Sequence, residues 1–374
     1  MKHALAPLPS PARLLSAIGC VAAIVFATPS RAFDSVETSL ESLDSDLFAI
    51  ELLTLRAEHA LGDWELQGTF SLSEYDIDFQ PVSFDLLGQA AQLREQARSA
   101  NLIASKAVVD KLTLDFGIAY RDGFSNYRSV WLDTYFDQHF EPLEGVPGHE
   151  LFQDVQPSAA SATAGLKWEY LPANAVASVS VSRIQDNVSP GYEIDFDGIR
   201  RGELVLATTS LSLVTENVLT PRLRSRIALT ATETSARSPR YAAEIALNAA
   251  LGDRWIWRNK LGGSTENPQF DAHFIESTIE FHASDSFAIY LQGRSYQDSG
   301  EIENALLFTT AAPELDNDSV GIGFRYLAEK WSAKVSLLHS RSQFLDTNVN
   351  VDFFRNLYVD ADWLTLQVAL GKRF

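Results

Sequence analysis

The last eleven residues of the chain decide its fold: Leu364-Thr365-Leu366-Gln367-Val368-Ala369-Leu370-Gly371-Lys372-Arg373-Phe374. Apolar side chains occupy alternate positions, at Leu364, Leu366, Val368, Leu370 and Phe374. Polar or small residues stand between them. Because successive side chains of a strand point to opposite faces, this alternation predicts a long strand with one apolar and one polar side.

The same alternation recurs along most of the chain. It predicts fifteen strands, at 47–61, 64–75, 99–109, 111–121, 159–171, 174–186, 203–219, 222–234, 239–251, 254–264, 269–283, 286–299, 318–328, 331–344 and 359–374. Most are longer than the five or six residues that are usual in soluble sheets. Their length matches the ~9–11 residues that a tilted strand needs to cross a bilayer.

The connections between these strands alternate in length. Seven are very short and rich in Gly, Asp, Asn and Pro, at 61–64, 109–111, 171–174, 219–222, 251–254, 283–286 and 328–331. Longer polar connections lie at 76–96, 141–158, 186–202, 300–317 and 345–358, and helix formers in 85–98 predict a short helix within a loop. Short turns at one end and long loops at the other predict an all-β, antiparallel, up-and-down transmembrane β-barrel.

A barrel that begins and ends on the same side of the membrane needs an even number of strands, so a sixteenth is expected. We favour residues 127–140, where Val130, Leu132, Phe136 and Phe140 share a face, over the more polar stretch 34–45. With 127–140 as a strand, the Gly62-Asp63 turn lies at the extracellular end, and with 34–45 it lies at the periplasmic end. Fourteen or eighteen strands remain alternatives.

The first 32 residues read as a secretory signal peptide. Lys2 and Arg13 give a basic start, residues 14–27 form an apolar run, and Ser30-Arg31-Ala32 offers a cleavage site before Phe33. The alternatives are a hydrophobic first helix of the mature fold, or lipidation at Cys20. With the signal removed, 33–374 is expected to form a single barrel domain.

The chain's end resembles the closing strand of Gram-negative outer-membrane β-barrel proteins, which ends in an aromatic residue after alternating apolar positions. Leu366, Val368, Leu370 and Phe374 match that pattern. The resemblance implies an outer-membrane location, contact with membrane lipid, and recognition by the barrel-insertion machinery. Sixteen-stranded porins often form trimers, so it also implies a homo-oligomer. Lys372 departs from the pattern, but near the membrane interface a Lys costs only ~0–1 kcal/mol and can snorkel.

Charge and composition exclude several other classes of protein. The net charge is −19, and removing Lys2, Arg13 and Arg31 with the signal leaves 27 basic and 49 acidic side chains, or −22. So negative a chain is not expected to bind nucleic acid. One Cys and one Met exclude a disulfide framework and Cys-ligated metal sites.

No cofactor or metal is expected either. Asp195-Phe196-Asp197-Gly198 and Asp316-Asn317-Asp318 read as acidic loop clusters, but neither has the full pattern of a calcium-binding loop. The seven His residues show no metal-binding spacing.

A sixteen-stranded barrel encloses a water-filled lumen, so its inward polar side chains are the candidate functional residues. Basic residues share a strand face at Arg222, Arg224 and Arg226, and again at Arg254, Arg258 and Lys260. Candidate carboxylates are Asp115, Glu244, Glu276 and Glu280. Facing carboxylates would give the lumen a transverse field. The plainer alternative is that these charges keep the lumen wet and pair with one another.

These features together predict a porin-like barrel, not an enzyme, that passes small hydrophilic solutes passively. One alternative is a surface-interaction barrel whose lumen is plugged by 76–98 or 141–158. A second is a barrel hydrolase, in which His282, sharing a face with Glu276 and Glu280, would need a nearby Ser. A third is a secreted soluble β-protein.

Overall fold

The computed structural model describes residues 33–79, 91–123, 157–187, 191–195, 198–202, 205–235, 238–267, 270–300, 314–345 and 360–374. They form eighteen strands: β1 Ser35–Asp44, β2 Phe48–Leu61, β3 Trp64–Phe79, β4 Ala91–Val109, β5 Leu112–Gly123, β6 Ser158–Leu171, β7 Ala175–Asn187, β8 Gly191–Asp195, β9 Gly198–Gly202, β10 Val205–Thr220, β11 Leu223–Thr234, β12 Arg240–Leu251, β13 Trp255–Glu266, β14 Phe270–His282, β15 Phe287–Asp298, β16 Glu314–Leu327, β17 Trp331–Leu345 and β18 Ala361–Arg373. The signal-peptide prediction for 1–32 lies outside the described residues.

Sixteen of these strands close into one antiparallel barrel. Each pairs with its neighbour in sequence, except that β7 pairs directly with β10, and β8 and β9 form a separate two-stranded sheet. The barrel closes where β1 pairs with β18 in a register that joins Ser35 to Arg373. The predicted fold class and strand number are therefore confirmed.

The sixteenth strand lies within 34–45, the less favoured of the two predicted positions. Residues 35–44 form β1, which hydrogen-bonds to β2 on one side and to β18 on the other. The preference for 127–140 was wrong for the barrel wall, because the ring closes without it; that segment lies outside the described residues. The Gly62-Asp63 turn consequently lies at the same end of the barrel as Ser35 and Arg373.

The seven predicted short turns all occur at one end, which we call the turn end; the other is the loop end. Gly62 and Gly252 have φ of 60° and 77°, in the left-handed region that glycine adopts without steric cost. At this end the Phe374 amide donates to the Asp34 carbonyl at 3.0 Å, which ties the two ends of the barrel domain together.

Several predicted loops are partly strand. β3 extends to Phe79 and β4 begins at Ala91, so the helix predicted over 85–98 is wrong for 91–98, and 85–90 lies outside the described residues. β16 begins at Glu314, so Asp316-Asn317-Asp318 lies in a strand, where the side chains of Asp316 and Asp318 point to the opposite face from that of Asn317. The sequence underestimated these strands because acidic and amide residues dominate their ends. No helix among the described residues is long and apolar enough to cross a membrane.

The two faces of the wall differ in chemistry. From β3 to β17 the outer face carries exposed large apolar side chains, such as Phe70, Leu102, Ile118 (61% exposed), Leu229 and Val335. Register partners in an antiparallel sheet share a face, so one assignment fixes the whole ring. At the seam between β1 and β18 the outer face is covered instead: Val36, Leu40 and Val368 are buried.

Candidate functional site: the charged inner wall

The strand register places most predicted lumen residues on one continuous inner face. Arg224 and Arg226 on β11, Arg258 and Lys260 on β13, Glu244 on β12, and Glu276 and Glu280 on β14 alternate with the outer apolar residues of their strands. Asp115 has the same orientation on β5, among the register partners Ser105 and Gly165. Arg222 and Arg254 lie in short turns, just before β11 and β13.

Three of the four predicted carboxylates lie on the same wall as the basic residues and not across from them. Arg226 Nη1 donates to Glu244 Oε1 at 2.6 Å, and Arg226 Nε lies 3.6 Å from Glu216 Oε1. Lys260 Nζ lies 3.9 Å from Glu276 Oε2. For Glu244, Glu276 and Glu280 the expected facing arrangement is therefore wrong, and the alternative of mutual pairing describes them.

Glu280 is the centre of the densest ion-pair cluster that the structure describes. Its side chain is 4% exposed, and Arg258 Nη1 donates to Oε2 at 2.7 Å. Arg325 donates to Oε1, and His282 Nε2 lies 2.7 Å from the same oxygen. A buried carboxylate is costly unless charged donors surround it, and here guanidinium groups from two other strands donate to it. Glu280 thereby fixes the positions of both guanidinium groups.

Several inward cations are missing from the predicted set, among them Arg294 on β15, Arg325 on β16 and Lys334 on β17. Arg325 and Lys334 are register partners, and Arg294 is the register partner of Glu276. The Arg294 guanidinium lies 5.7 Å from the Phe274 ring centroid and 5.6 Å from that of Tyr296. The alternation of β15 and β16 could have revealed Arg294 and Arg325, since each stands opposite that strand's apolar face.

A second, largely acidic wall lies across the lumen from the basic wall, which is the inner face that carries Arg224, Arg226, Arg258, Lys260 and Arg294. Inward residues of β1 to β5 include Glu37, Glu41, Glu58, Glu65 and Asp115. In the closed ring these strands lie opposite β11 to β15. Glu58 accepts from Arg56 and Ser35, both at 2.8 Å, and Glu41 accepts from Gln367 at 2.7 Å. The predicted transverse field therefore has an acidic side, but of the predicted residues only Asp115 contributes to it.

Aromatic rings lie flat across glycines on the inner wall. A Cβ placed on Gly323 would lie 2.1 Å from Cζ of Tyr290, and one on Gly262 would lie 2.7 Å from Cε1 of Phe274. Only glycine leaves room for each ring at that distance. Tyr290 is 5% exposed. The rings thus follow the wall and do not extend into the lumen.

Between the charged walls, hydroxyl groups line β10 and β11. The inward pairs Thr208–Thr234, Ser210–Thr232 and Ser212–Thr230 have oxygens 3.0, 3.0 and 2.9 Å apart. This ladder gives the inner wall a neutral, hydrophilic stretch next to Arg226.

Two other predicted features concern metal binding and the closing strand. The described residues contain no group of three His, Cys, Asp or Glu side chains placed to hold a metal ion. The closing-strand residues Leu366, Val368 and Leu370 share the outer face of β18, opposite Leu337, Val335 and Ala333 of β17. The Lys372 ammonium lies 5.3 Å from the Trp331 ring centroid and 4.6 Å from that of Phe374.

Comparison with known proteins identifies the fold as that of outer-membrane β-barrels. No family model and no curated protein matches the sequence. CdiB from Acinetobacter baumannii matches with a TM-score of 0.54 at 8% identity, over 90% of this chain and 60% of that one. This chain therefore spans less than two thirds of that protein.

Two further solved structures match more weakly. The Pseudomonas putida toluene transporter TodX has a TM-score of 0.42 and 13% identity, over 94% of this chain and 93% of that one. OccK3 (OpdO) from Pseudomonas aeruginosa has a TM-score of 0.43 and 14% identity, over 90% and 94% of the two chains. The likeness to CdiB, together with the sixteen-stranded ring, carries the fold assignment; the specific family within that fold is not identified.

Proposed function

We propose that this chain is an outer-membrane channel through which small hydrophilic solutes diffuse passively. The observation that carries the proposal is the closed sixteen-stranded ring with a polar, charged inner face and an apolar outer face. Barrels of 16–18 strands leave an aqueous lumen, whereas eight-stranded ones are filled by side chains.

We also propose how the barrel is oriented, exported, inserted and assembled. The turn end lies in the periplasm, and the loop end faces outward. Residues 1–32 direct export, Leu366, Val368, Leu370 and Phe374 are read by the barrel-insertion machinery, and the outer face contacts membrane lipid. Assembly into homo-oligomers is proposed as well. The proposed barrel catalyses no reaction, and His282 contributes its contact with Glu280.

A vesicle-swelling assay tests passive passage. The refolded full-length mature chain is placed in lipid vesicles, which are diluted into isosmotic solutions of neutral sugars of increasing size. We expect swelling whose rate falls as the sugar grows, and no swelling with vesicles that carry the urea-unfolded chain. Equal, background-level rates for all sugars with correctly folded protein would contradict the proposal.

One observation favours a second candidate, a barrel whose lumen is plugged. Several small inward side chains between β14 and β18 are almost fully covered: Ser336 is 1% exposed, and Ala288, Ser340 and Thr365 are also buried. A non-conducting barrel would then serve as a surface for a partner at its loop end. Deleting 141–156, which belongs to a predicted plug segment, distinguishes the two functions: a plugged barrel becomes permeable, and an open one already swells before the deletion.

A further inference from the structure

We propose that the cluster around Glu280 is a binding subsite for a small oxyanion group, carboxylate or phosphate, carried by the solutes that pass through the lumen. This inference rests on the proposed channel function and names a class of solute for it. Its residues are Arg258, Arg325 and Lys334, with Glu280 as a positioning residue. The four side chains come from β13, β16, β17 and β14.

The cluster around Glu280 carries more positive than negative charge. Glu280 is the only carboxylate in the ion-pair cluster that the structure describes there, and it accepts from two guanidinium groups while His282 contacts it as well. Lys334 is the register partner of Arg325 and has no ion pair among the described residues. Two guanidinium groups therefore share one carboxylate, and the strand next to Arg325 adds an ammonium group without an ion pair. The excess positive charge favours a second anion at this place.

The guanidinium groups of Arg258 and Arg325 have N–H donors that no described contact uses. A guanidinium carries five N–H donors, and the described contacts of Arg258 and Arg325 use one each. The two side chains remain 34% and 41% exposed, so their free donors can be reached from the lumen. Carboxylate and phosphate oxygens suit such planar donors better than halide ions do.

The cationic side chains of the subsite are held in place before a ligand binds. Glu280 holds both guanidiniums beside one carboxylate, and Arg325 crosses the small, buried Ala288, its register partner on β15, to reach Glu280. Lys334 lies with its amine 5.8 Å from the Tyr290 ring centroid, and that ring is itself held over Gly323. Groups that are fixed before a ligand arrives lose less entropy on binding, so even a small anion can be retained.

The hydroxyl group of Tyr290, on the strand next to Glu280, has no hydrogen-bond partner within the described ranges. Its oxygen is buried. Tyr290 is the register partner of Glu280 and of Gly323. Buried hydroxyls nearly always have a partner, so an orphaned one whose ring lies 5.8 Å from the Lys334 ammonium indicates a missing acceptor.

Equilibrium dialysis of the folded full-length mature protein, in detergent and at low ionic strength, tests the subsite with inorganic phosphate and, separately, with succinate. We expect saturable binding of at least one anion. Lys334→Gln disturbs no described ion pair, so it folds as the wild type does and should weaken binding severalfold. Arg325→Gln should weaken binding by about tenfold or more, since it removes charge-assisted donors. Arg121→Gln, which alters an inward arginine paired with Asp186 on other strands, should leave binding unchanged.

Absence of saturable binding to wild type, or equal binding by wild type and Lys334→Gln, would overturn the subsite. Stronger binding of phosphate than of succinate, or the reverse, identifies the source of the oxyanion group. The readout does not depend on conduction. A protein that swells vesicles but binds neither anion refutes the subsite alone, and one that binds but transports nothing refutes the channel alone.

Discussion

The ammonium of Lys372 lies 4.6 Å from the ring centroid of Phe374, two residues further along the outer face of the closing strand. A cation over an aromatic face gains about 0.5–1 kcal/mol at exposed sites, and more where water is excluded. This gain offsets the ~0–1 kcal/mol that a Lys costs near a membrane interface. The one departure from the closing-strand pattern is thus compensated by the terminal aromatic residue itself.

A double-mutant cycle between Lys372→Ala and Phe374→Leu should therefore show coupling. We expect an interaction free energy of about 0.5–1 kcal/mol, measured by urea unfolding from lipid vesicles and followed by tryptophan fluorescence. The matched cycle between Lys372→Ala and Phe70→Leu, which joins residues on distant strands, should give none. Equal coupling in the two cycles would mean that the ring contact contributes nothing.

Replacing Gly323 by alanine should push the Tyr290 ring off the wall. The new Cβ would overlap that ring at 2.1 Å, so we expect a loss of about 1–3 kcal/mol in the free energy of unfolding. Gly68→Ala is the control, because a Cβ at Gly68 has no neighbour within 4 Å. Adding Tyr290→Ala should relieve the effect of Gly323→Ala. If both glycine variants unfold alike, the ring does not occupy this position.

Removing the Glu280 carboxylate should destabilise the barrel more than removing an inward carboxylate that has no described ion pair. Breaking a fully buried pair costs roughly 3–5 kcal/mol. Because Arg258 and Arg325 keep part of their surface exposed, we expect Glu280→Ala to cost about 2 kcal/mol. Glu65→Ala should change the unfolding free energy by less than about 0.5 kcal/mol, as typical surface substitutions do. Equal costs for the two variants would show that the cluster is not a stabilising centre.

The two charged walls should act on ion selectivity in opposite directions. Neutralising Glu37, Glu65 and Asp115 together should shift the reversal potential in a potassium chloride gradient towards anion selectivity, because it removes acidic charge from the lumen. Neutralising Arg258, Arg294 and Lys334 should shift it towards cations. Both shifts should shrink at high salt. Shifts of the same sign would mean that these residues do not line the conducting path.

The sequence predicted the barrel because strand alternation and turn chemistry are local properties. Leu364 to Phe374 shows both faces of its strand within eleven residues. β1 was ranked too low because Glu37 and Glu41, which line its inner face, make the segment read as polar. The apolar face of 127–140 looked more strand-like, although the barrel wall does not use it.

The arrangement of charges could not be predicted in the same way. Glu280 and Arg325 are 45 residues apart and meet only because the register of three strands brings them together. Alternation shows which face a side chain occupies, but not its height along the barrel or its neighbours across strands. The pairing of Glu244 with Arg226 and the opposing acidic wall therefore became visible only in the structure.

Single-channel recording in planar lipid bilayers shows whether the charged lumen is open. The purified, folded, full-length mature protein should insert with stepwise, uniform increases in conductance. We expect these steps without deletion of any loop. A protein that inserts in folded form, shown by its resistance to added protease, yet remains silent would show that the lumen is closed.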